Sequence, residues 1–363
     1  MSITAHFTLD RGEFRLDAQL EIPPRGVTAL FGASGCGKTT LLRCMAGLEH
    51  AEGHMEVMGE PWQTAKSTTG RGLFLPSHRR AVGYVFQDVA LFPHLTVLNN
   101  LKYGLKRTPR QRRRIRLEEV TALLGLTALL GRRPDQLSGG QRQRVGIGRA
   151  LLTSPRLLLM DEPMASLDLN SKAEILPYLE RLHAELDIPV VYVSHAPDEV
   201  LRLADHMILL EDGRVSASGA VAEVFNRVTL PMIRSAEAAT VIECRVVAYD
   251  AESGMSRVEF VDGELRLPRG DLREGSALRL RIFARDVSLS LDPPGRTTIS
   301  NILPARIRKL ADLPDRSQVL VHLDLGQTRL LSRVTRESVQ RLALQPELPV
   351  FAQIKSVALD SAG

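Results

Sequence analysis

The clearest chemistry in this sequence lies in a glycine-rich stretch, GASGCGKTT, between the apolar run 27–31 and a helix-forming run. Its pattern is G-x-x-x-x-G-K-T, in which glycines let backbone N–H groups turn inward where a Cβ would clash. With the positive end of the following helix, those N–H groups form a pocket for phosphate oxygens. Lys38 can then reach the β- and γ-phosphates of a nucleotide, and the Thr39 hydroxyl can bind Mg²⁺. The predicted nucleotide-binding residues of this loop are Gly32, Ala33, Ser34, Gly35, Cys36, Gly37, Lys38, Thr39 and Thr40.

A second candidate is the acidic pair that ends the apolar run 157–160. Asp161 lies at the tip of a predicted buried strand, where it can hold Mg²⁺ through water, and Glu162 can polarise the water that attacks the γ-phosphate. An acidic pair in this position could instead cap a helix. The glycine-rich loop upstream favours the nucleotide role, so we predict Asp161 as a metal-binding residue and Glu162 as the catalytic base.

The stretch Leu137-Ser138-Gly139-Gly140-Gln141, followed by a basic helix, resembles the signature of ATP-binding cassette proteins. Its hydroxyl and N–H groups at a helix N-terminus suit an anion. The order of the other elements agrees with that family, because the glycine-rich loop, Gln87, the signature, the acidic pair, Asp168 and His195 follow one another along the chain. The resemblance covers residues 1 to about 230 and implies an ATPase with ATP and Mg²⁺ as cofactors.

The same resemblance implies roles for single residues. In this family the signature of one copy meets ATP bound to a second copy, so it implies a homodimer in which Ser138, Gly139, Gly140 and Gln141 bind nucleotide. Gln87 would sense Mg²⁺ and the attacking water, Asp168 would cross the interface, and His195 would contact the γ-phosphate. An aromatic residue near the N-terminus stacks on adenine in this family. Phe14 is the candidate here, with a core position as the alternative.

The elements that must position these residues change character along the chain. Alternating apolar and polar residues at 3–22 predict strands with one buried face, and apolar runs at 27–31, 81–86, 157–160 and 188–193 predict a mainly parallel sheet. Past residue 230, short alternating strands predict an all-β domain. We predict an α/β P-loop NTPase cassette at 1–230 with a helical subdomain at about 95–150, a linker and first β segment at 231–294 with the link itself at 230–240, and a small OB-like β-barrel at 295–363.

The composition is ordinary for a globular protein, with 44% hydrophobic and 25% charged residues. No apolar run approaches the roughly 20 residues that span a bilayer, and the N-terminus lacks a signal pattern. We therefore expect a peripheral protein that a partner holds at the cytoplasmic face of the bacterial inner membrane. The formal net charge is +5, with many basic residues at 106–116. Because no aromatic residues interleave with them, a solvated helix face is favoured over contact with nucleic acid or anionic lipid.

The three cysteines, Cys36, Cys44 and Cys244, have no metal or disulfide spacing, which suits a reducing compartment. Cys36 lies within the phosphate loop, and a thiol near a helix N-terminus tends to have a lowered pKa. We therefore predict that alkylation of Cys36 inactivates the enzyme and that ATP protects it.

Residues 79–97 resemble the ATPase subunits of bacterial importers. In those proteins the region after the glutamine forms a groove for a short cytoplasmic helix of the membrane subunit, so the resemblance implies contact with permease subunits near Gln87 to Thr96. Leu91, Phe92 and Pro93 would be exposed apolar residues that make this contact. Ordinary packing of the helical subdomain is the alternative.

The C-terminal region narrows the resemblance to the ATPases of molybdate importers. Residues 297–307 and 351–359 resemble the opening and closing strands of the small molybdate-binding barrel that ends those proteins, and 176–179 and 281–289 match the same subfamily. Ser300 departs from the family, which often has arginine there. The barrel thus either binds molybdate or serves as a structural element that pairs two subunits. The resemblance implies import of molybdate, with tungstate as a second candidate solute and a periplasmic or extracellular molybdate-binding protein as an indirect partner.

Three alternatives remain open at this point. Importer ATPases for sulfate, iron or a sugar can also carry a β-rich C-terminal domain. Soluble cassette ATPases that act on nucleic acid usually carry two cassettes or a long coiled-coil insert; this sequence has one P-loop, one signature and no such insert, so we expect no nucleic-acid partner. The barrel could also sense an oxyanion and regulate the ATPase, which is compatible with the importer hypothesis.

Overall fold

The computed structural model describes residues 2–65, 72–185, 187–232, 238–270, 272–313 and 317–362. The chain divides into two compact units, Met1–Val221 and Ala222–Gly363. None of the helices in these described ranges is long and apolar enough to cross a bilayer.

Over its described residues, the first unit combines ten strands with six helices and the start of a seventh. Its strands are β1 (Ile3–Asp10), β2 (Arg15–Ile22), β3 (Val27–Phe31), β4 (Glu52–Val57), β5 (Glu60–Gln63), β6 (Val82–Val85), β7 (Leu157–Asp161), β8 (Val190–Val193), β9 (His206–Glu211) and β10 (Arg214–Ala220). Its helices are α1 (Lys38–Ala46), α2 (Val97–Arg107), α3 (Leu117–Leu123), α4 (Gly139–Leu151), α5 (Leu169–Glu185), α6 (Pro197–Leu203) and α7 (Val221–Met232), the last of which continues into the second unit.

A six-stranded sheet in the order β10-β9-β3-β8-β7-β6 forms the centre of the first unit. All of its described pairs are parallel except β10 with β9. Every residue of β3, β7 and β8 is buried, which explains why these strands read as continuous apolar runs rather than alternating ones. Because parallel strands end at the same edge, the loops after β3, β7 and β8 lie together.

A separate antiparallel sheet in the order β2-β1-β4-β5 carries the alternating segments near the N-terminus. Its inward side chains, among them Phe7, Leu16 and Trp62, share one core with Leu41 and Met45 of α1. The alternation at 3–22 therefore predicted these strands correctly. The core holds the helix that follows the phosphate loop against two sheets.

In the described part of the chain, the second unit contains, after α7, the remaining strands and one further short helix. These elements are β11 (Ala239–Asp250), β12 (Met255–Phe260), β13 (Gly263–Leu267), β14 (Ala277–Phe283), β15 (Val287–Ser290), β16 (Asn301–Asp312), β17 (Gln318–Asp324), β18 (Arg329–Thr335), α8 (Arg336–Arg341), β19 (Pro349–Ile354) and β20 (Ala358–Ala362). They form two antiparallel five-stranded sheets, β13-β12-β11-β14-β20 and β15-β19-β16-β17-β18, around a shared core that includes Leu280, Ile307 and Leu323.

Two details differ from the sequence interpretation. The predicted link 230–240 begins within α7, which contains Leu230 and Pro231; residues 233–237 of that link lie outside the described residues. The two sheets of the second unit also exchange strands across the division at 294/295: β15 pairs with β19, and β20 pairs with β14. A fragment beginning at residue 295 would therefore lack β15 and leave β20 without its partner.

Candidate functional site

The glycine-rich loop joins β3 to α1, as the sequence predicts. Gly37 immediately precedes α1 with φ of 104°, a left-handed conformation that favours glycine. A Cβ at this position would lie 2.5 Å from Cζ of Phe14. The Phe14 ring therefore lies against the loop and also packs on the core of the first unit. This position is compatible with both alternatives for Phe14, adenine stacking and core packing.

Lys38, at the start of α1, is 5% exposed and folds back along the loop. Its ammonium donates to the backbone oxygens of Gly32 at 3.0 Å and Ala33 at 2.8 Å. The charge is therefore held inside the curve of the loop, where the backbone N–H groups and the start of α1 also favour an anion.

The hydroxyl of Thr39 meets the acidic end of β7. Thr39 Oγ1 donates to Asp161 Oδ1 at 2.9 Å, and the Tyr84 hydroxyl donates to Asp161 Oδ2 at 3.0 Å. Burial raises the pKa of the Asp161 carboxyl, and the two hydroxyl groups act in the opposite direction. Mg²⁺ is commonly held by one or two protein oxygens together with phosphates and water. The oxygens of Thr39 and Asp161, beside a phosphate loop, fit that ion.

Tyr84 is a site residue that the sequence interpretation missed. Burial and the neighbouring Asp161 raise the pKa of its hydroxyl, so it remains a neutral donor to the carboxylate. The sequence feature that could have pointed to Tyr84 is its place on β6. This strand pairs in parallel with β7, so the two strands end at the same edge of the sheet. The sequence contains this strand but gives no indication that the tyrosine hydroxyl reaches Asp161.

Glu162 and His195 come together across neighbouring strand ends. The Glu162 N–H donates to the Val193 oxygen at 3.1 Å, and His195 Nδ1 lies 3.3 Å from Glu162 Oε1. The Glu162 side chain is 20% exposed and that of His195 60% exposed. Glu162 has φ of 43°, a sparsely populated conformation for a residue with a side chain. Such backbone strain is frequent where a site fixes the direction of a reactive group.

The signature residues lie at the start of α4. Ser138 Oγ accepts from the Gln141 N–H at 3.2 Å, and Gln141 Oε1 accepts from the Ser138 N–H at 3.2 Å. This reciprocal cap uses the third N–H of the helix. In the described part of the chain the N–H groups of Gly139 and Gly140 make no hydrogen bond. Two backbone donors and the Ser138 O–H are thus available to an anion.

Asp168 lies beside the signature, at the start of α5. Its carboxylate accepts from the Ser171 N–H and from the Ser171 hydroxyl, each at 2.9 Å, and these bonds lower the pKa of Asp168. A Cβ on Gly139 would lie 2.9 Å from Leu167 Cδ2, and one on Gly140 would lie 3.4 Å from the Ser171 oxygen. The signature and the Asp168 turn therefore form one packed cluster.

The predicted residues thus fall into two groups. The phosphate loop, Asp161, Glu162 and His195 surround the ends of β3, β7 and β8. The signature and Asp168 form the other group. Among the described residues, no hydrogen bond or ion pair joins the two groups, and Gln87 is exposed and makes none with either.

The comparisons with known proteins agree with both units. A family model described as ABC transporter matches residues 16–165, and one described as TOBE domain matches 297–360. The "Molybdenum import ATP-binding protein ModC" of Aromatoleum aromaticum is 54% identical over 99% of this chain and 94% of its own length. The protein of the same name from Pseudomonas aeruginosa is 54% identical over 95% of this chain and 96% of its own length. The structure of cbiO1 from Clostridium perfringens, part of the ABC transporter complex cbiONQ, is 25% identical, with a TM-score of 0.51, over 64% of this chain and 96% of that chain.

This chain belongs to the ABC transporter family. Membership confirms the predicted fold class, an ABC cassette followed by an OB-like β domain, and the prediction of an ATP-hydrolysing chain. No comparison addresses the individual site residues, so their roles stay predictions.

The prediction for Cys36 is wrong in its physical basis. Cys36 is 6% exposed, and burial raises the pKa of its thiol, an effect larger than the opposite one of Lys38. The nearby helix N-terminus does not compensate for the loss of water around the sulfur. Ready alkylation of the folded protein at Cys36 is therefore not expected.

A cavity of about 600 Å³ opens beside the stretch that follows Gln87 in this ABC cassette. Its lining includes Phe92, Tyr103, Arg107, Arg112 and Arg149. The Arg107 guanidinium lies 3.5 Å from the centre of the Tyr103 ring, and Arg149 lies 5.2 Å from that of Phe92. Leu91 and Phe92 are half-buried and Pro93 is exposed, so of the three predicted contact residues only Pro93 is fully accessible.

The second unit contains another cavity, of about 590 Å³. Its lining includes Arg266, Thr298, Ser300, Asn301, Lys355 and Ser356. Asn301 fixes one wall, because its amide accepts from the Arg266 N–H at 2.7 Å and donates to the Arg266 oxygen at 3.0 Å. Two cationic side chains and several hydroxyl groups thus face one space.

Proposed function

We propose that this chain is the ATP-hydrolysing subunit that energises import of molybdate through a bacterial ABC transporter. The observation that carries the molybdate assignment is the identity of 54% with molybdenum import proteins over nearly the whole chain, including the second unit. Tungstate, a dianion of the same shape, would be accepted by the same system. A peripheral position at the cytoplasmic face of the membrane follows from this role.

In the proposed reaction Gly32–Thr40 bind the phosphates, and Thr39 and Asp161 hold Mg²⁺. Glu162 orients and polarises the attacking water, His195 contacts the γ-phosphate, Gln87 senses the metal and the water, and Phe14 stacks on adenine. Mg²⁺, when bound, neutralises charge on the β- and γ-phosphates. The contact between Glu162 and His195 supports this assignment, because it places a base and a phosphate ligand side by side.

Replacement of Glu162 by glutamine tests the base. Glutamine keeps the size and hydrogen-bonding reach of the side chain but removes the charge that polarises water. We expect Glu162→Gln to bind Mg²⁺-ATP and to form a stable dimer by light scattering, with turnover reduced about 100-fold or more. Turnover near that of the unmodified chain would exclude Glu162 as the base.

The proposal for the transported solute needs the membrane subunits. We would express the chain with its permease partners in cells that lack their own ATP-binding subunit and measure uptake of labelled molybdate, with sulfate for comparison. The Lys38→Ala variant serves as the inactive control. Uptake of molybdate that depends on Lys38 is expected, whereas uptake of sulfate alone would favour the alternative of another importer.

The groove near Phe92 is proposed as the contact with the permease subunits. Its apolar rings and five arginines suit a short helix with an apolar face and an acidic residue. We expect Phe92→Ala to reduce solute uptake while the ATPase activity of the isolated chain is retained. Leu48→Ala, which shortens an exposed apolar side chain elsewhere, is the matched control. Equal uptake by both variants would contradict the contact.

The second unit is proposed to bind an oxyanion in the cavity near Arg266. Ser300 stands where the family often has an arginine, but Arg266 and Lys355 still supply positive charge to the lining of this cavity. Calorimetric titration of the full chain with molybdate, tungstate and sulfate tests this. We expect Lys355→Met to abolish binding and Arg329→Met, an exposed arginine on β18, to preserve it. Absence of heat with every anion would assign this unit a structural role.

A further inference from the structure

A buried carboxylate with no part in the proposed chemistry is bonded to Ser194, the residue before His195. Glu199, on α6, has a side chain that is 9% exposed. Its Oε2 accepts from the Tyr192 hydroxyl at 2.9 Å and from the Ser194 hydroxyl at 2.8 Å. Its Oε1 accepts from the Lys172 ammonium at 2.9 Å. Three donors, one of them charged, hold this carboxylate in a single orientation.

The Ser194 hydroxyl transmits that orientation to the histidine. It donates to Glu199 and accepts from the Ala196 N–H at 3.0 Å, so the backbone on both sides of His195 is tied to one carboxylate. The His195 side chain itself remains 60% exposed. The loop is thus fixed in its backbone, while its imidazole is accessible to a ligand.

Lys172 connects the same carboxylate to the Asp168 turn. Lys172 lies in the first turn of α5, and its N–H donates to the Asp168 backbone oxygen at 2.9 Å. Asp168 caps that turn through Ser171. The ion pair between Lys172 and Glu199 therefore joins the two segments that carry Asp168 and His195.

We propose that Glu199 is a positioning residue for His195, and that its ion pair with Lys172 couples the His195 loop to the Asp168 turn. This inference rests on the roles proposed above, in which His195 contacts the γ-phosphate and Asp168 crosses the dimer interface. A shift of the Asp168 turn on dimer formation would then move the histidine in the same chain. Through this ion pair, binding of the second copy at Asp168 would affect the position of His195 at the hydrolysis site.

The first test is Glu199→Gln in the full chain. The amide cannot accept from three donors, so the Ser194 bond is weakened and the loop loses its fixed orientation. We expect kcat for ATP hydrolysis per folded molecule to fall about 10- to 100-fold, with KM for ATP nearly unchanged. Glu174→Gln, the same change at an exposed position of α5, should leave both constants unaltered. An unchanged kcat per folded molecule in Glu199→Gln, with any loss of total activity explained by the unfolded fraction in thermal unfolding, would overturn the proposal.

A double-mutant cycle separates positioning from a direct role. If Glu199 acts through His195, Glu199→Gln should cause no further loss in single-turnover hydrolysis once His195 is alanine. An equal loss in both backgrounds would overturn the proposal and leave the role of His195 intact. Full turnover by His195→Ala alone would overturn the proposed role of His195 itself, and with it this inference.

The coupling is tested at Lys172. We expect Lys172→Met to lower the Hill coefficient for ATP hydrolysis, and Lys172→Arg, which retains a cation within reach of Glu199, to restore it. Thermal unfolding of both variants controls for stability. An unchanged Hill coefficient in Lys172→Met would overturn the coupling.

Discussion

Replacement of Arg80 by methionine should weaken the end of the helix that begins at the phosphate loop. Arg80 is 5% exposed, and its guanidinium donates to the backbone oxygens of Cys44 at 3.0 Å, Met45 at 2.8 Å and Leu75 at 2.7 Å. Cys44 and Met45 lie in the last turn of α1, where carbonyl groups have no partner within the helix. A cation at this end also interacts favourably with the helix dipole.

The size of the effect follows from which oxygens lose their donor. The Cys44 oxygen keeps the Gly47 N–H at 3.0 Å, so Arg80→Met deprives the carbonyls of Met45 and Leu75 of a donor. Gln63 Oε1 also loses the guanidinium, but that bond is long, at 3.4 Å, and adds little to the cost of the two carbonyls. Each unsatisfied buried acceptor costs about 1–3 kcal/mol, which gives about 2–6 kcal/mol. Burial lowers the pKa of Arg80 to about 10, so methionine also relieves the cost of keeping a charge away from water. We therefore expect a loss of about 2–3 kcal/mol in the free energy of unfolding.

Urea unfolding followed by the fluorescence of Trp62 provides the assay. Trp62 is the single tryptophan of the chain, is fully buried, and its backbone oxygen accepts from the Leu75 N–H at 2.9 Å. It therefore reports unfolding of the first unit. Arg79→Met, at the exposed neighbouring position, is the matched control. A free energy of unfolding for Arg80→Met within about 0.5 kcal/mol of this control, at equal m-values, would refute the argument from unsatisfied carbonyls.

Three further outcomes are expected. Because Cys36 is buried and burial raises the pKa of its thiol, iodoacetamide at pH 8 should modify it far more slowly in the native chain than in urea; mass spectrometry that finds equal rates would contradict this. Asp168→Ala removes the cap on Ser171 and should cost about 1 kcal/mol in thermal unfolding, whereas an unchanged Tm would show that the cap is dispensable. Thr39→Ala should raise the Mg²⁺ concentration for half-maximal ATPase activity about tenfold, and an unchanged midpoint would remove Thr39 from the metal site.

The strands of the first unit were predicted well from the sequence where their apolar pattern directly reflects burial. Strands β3, β7 and β8 are buried on both faces, so their apolar runs are unambiguous. The glycine-rich loop and the acidic pair follow directly at the ends of two of these strands. The contact between Glu162 and His195 then follows from parallel topology, because neighbouring strands deliver both residues to one edge.

What the sequence could not give depends on contacts between distant segments. The pairing of β20 with β14 joins residues far apart in the chain, and no local pattern specifies such a partner. The environment of Cys36 is another example. The helix that follows Cys36 suggests a lowered thiol pKa. Packing in the core removes water from the sulfur, however, and this burial raises the thiol pKa. The roles of Tyr84 and Glu199 also could not be predicted from the sequence. Each occupies an ordinary strand or helix position, and nothing local indicates that Tyr84 bonds to Asp161 or that Glu199 bonds to Ser194.

The division of the predicted site into two groups bears on how the molecule works. The group at the strand ends has the Lys38 ammonium, the two proposed Mg²⁺ ligands and the proposed base, whereas the signature group has two uncommitted N–H groups and a hydroxyl. Each group is suited to one side of a triphosphate, and among the described residues no hydrogen bond joins a member of one group directly to a member of the other. If a second copy supplies the signature group to each nucleotide, hydrolysis requires the dimer. In such a dimer, the signature and Asp168 of one chain face the nucleotide of the partner, whereas His195 faces the nucleotide of its own chain. The Lys172–Glu199 ion pair then connects these two parts of the same chain.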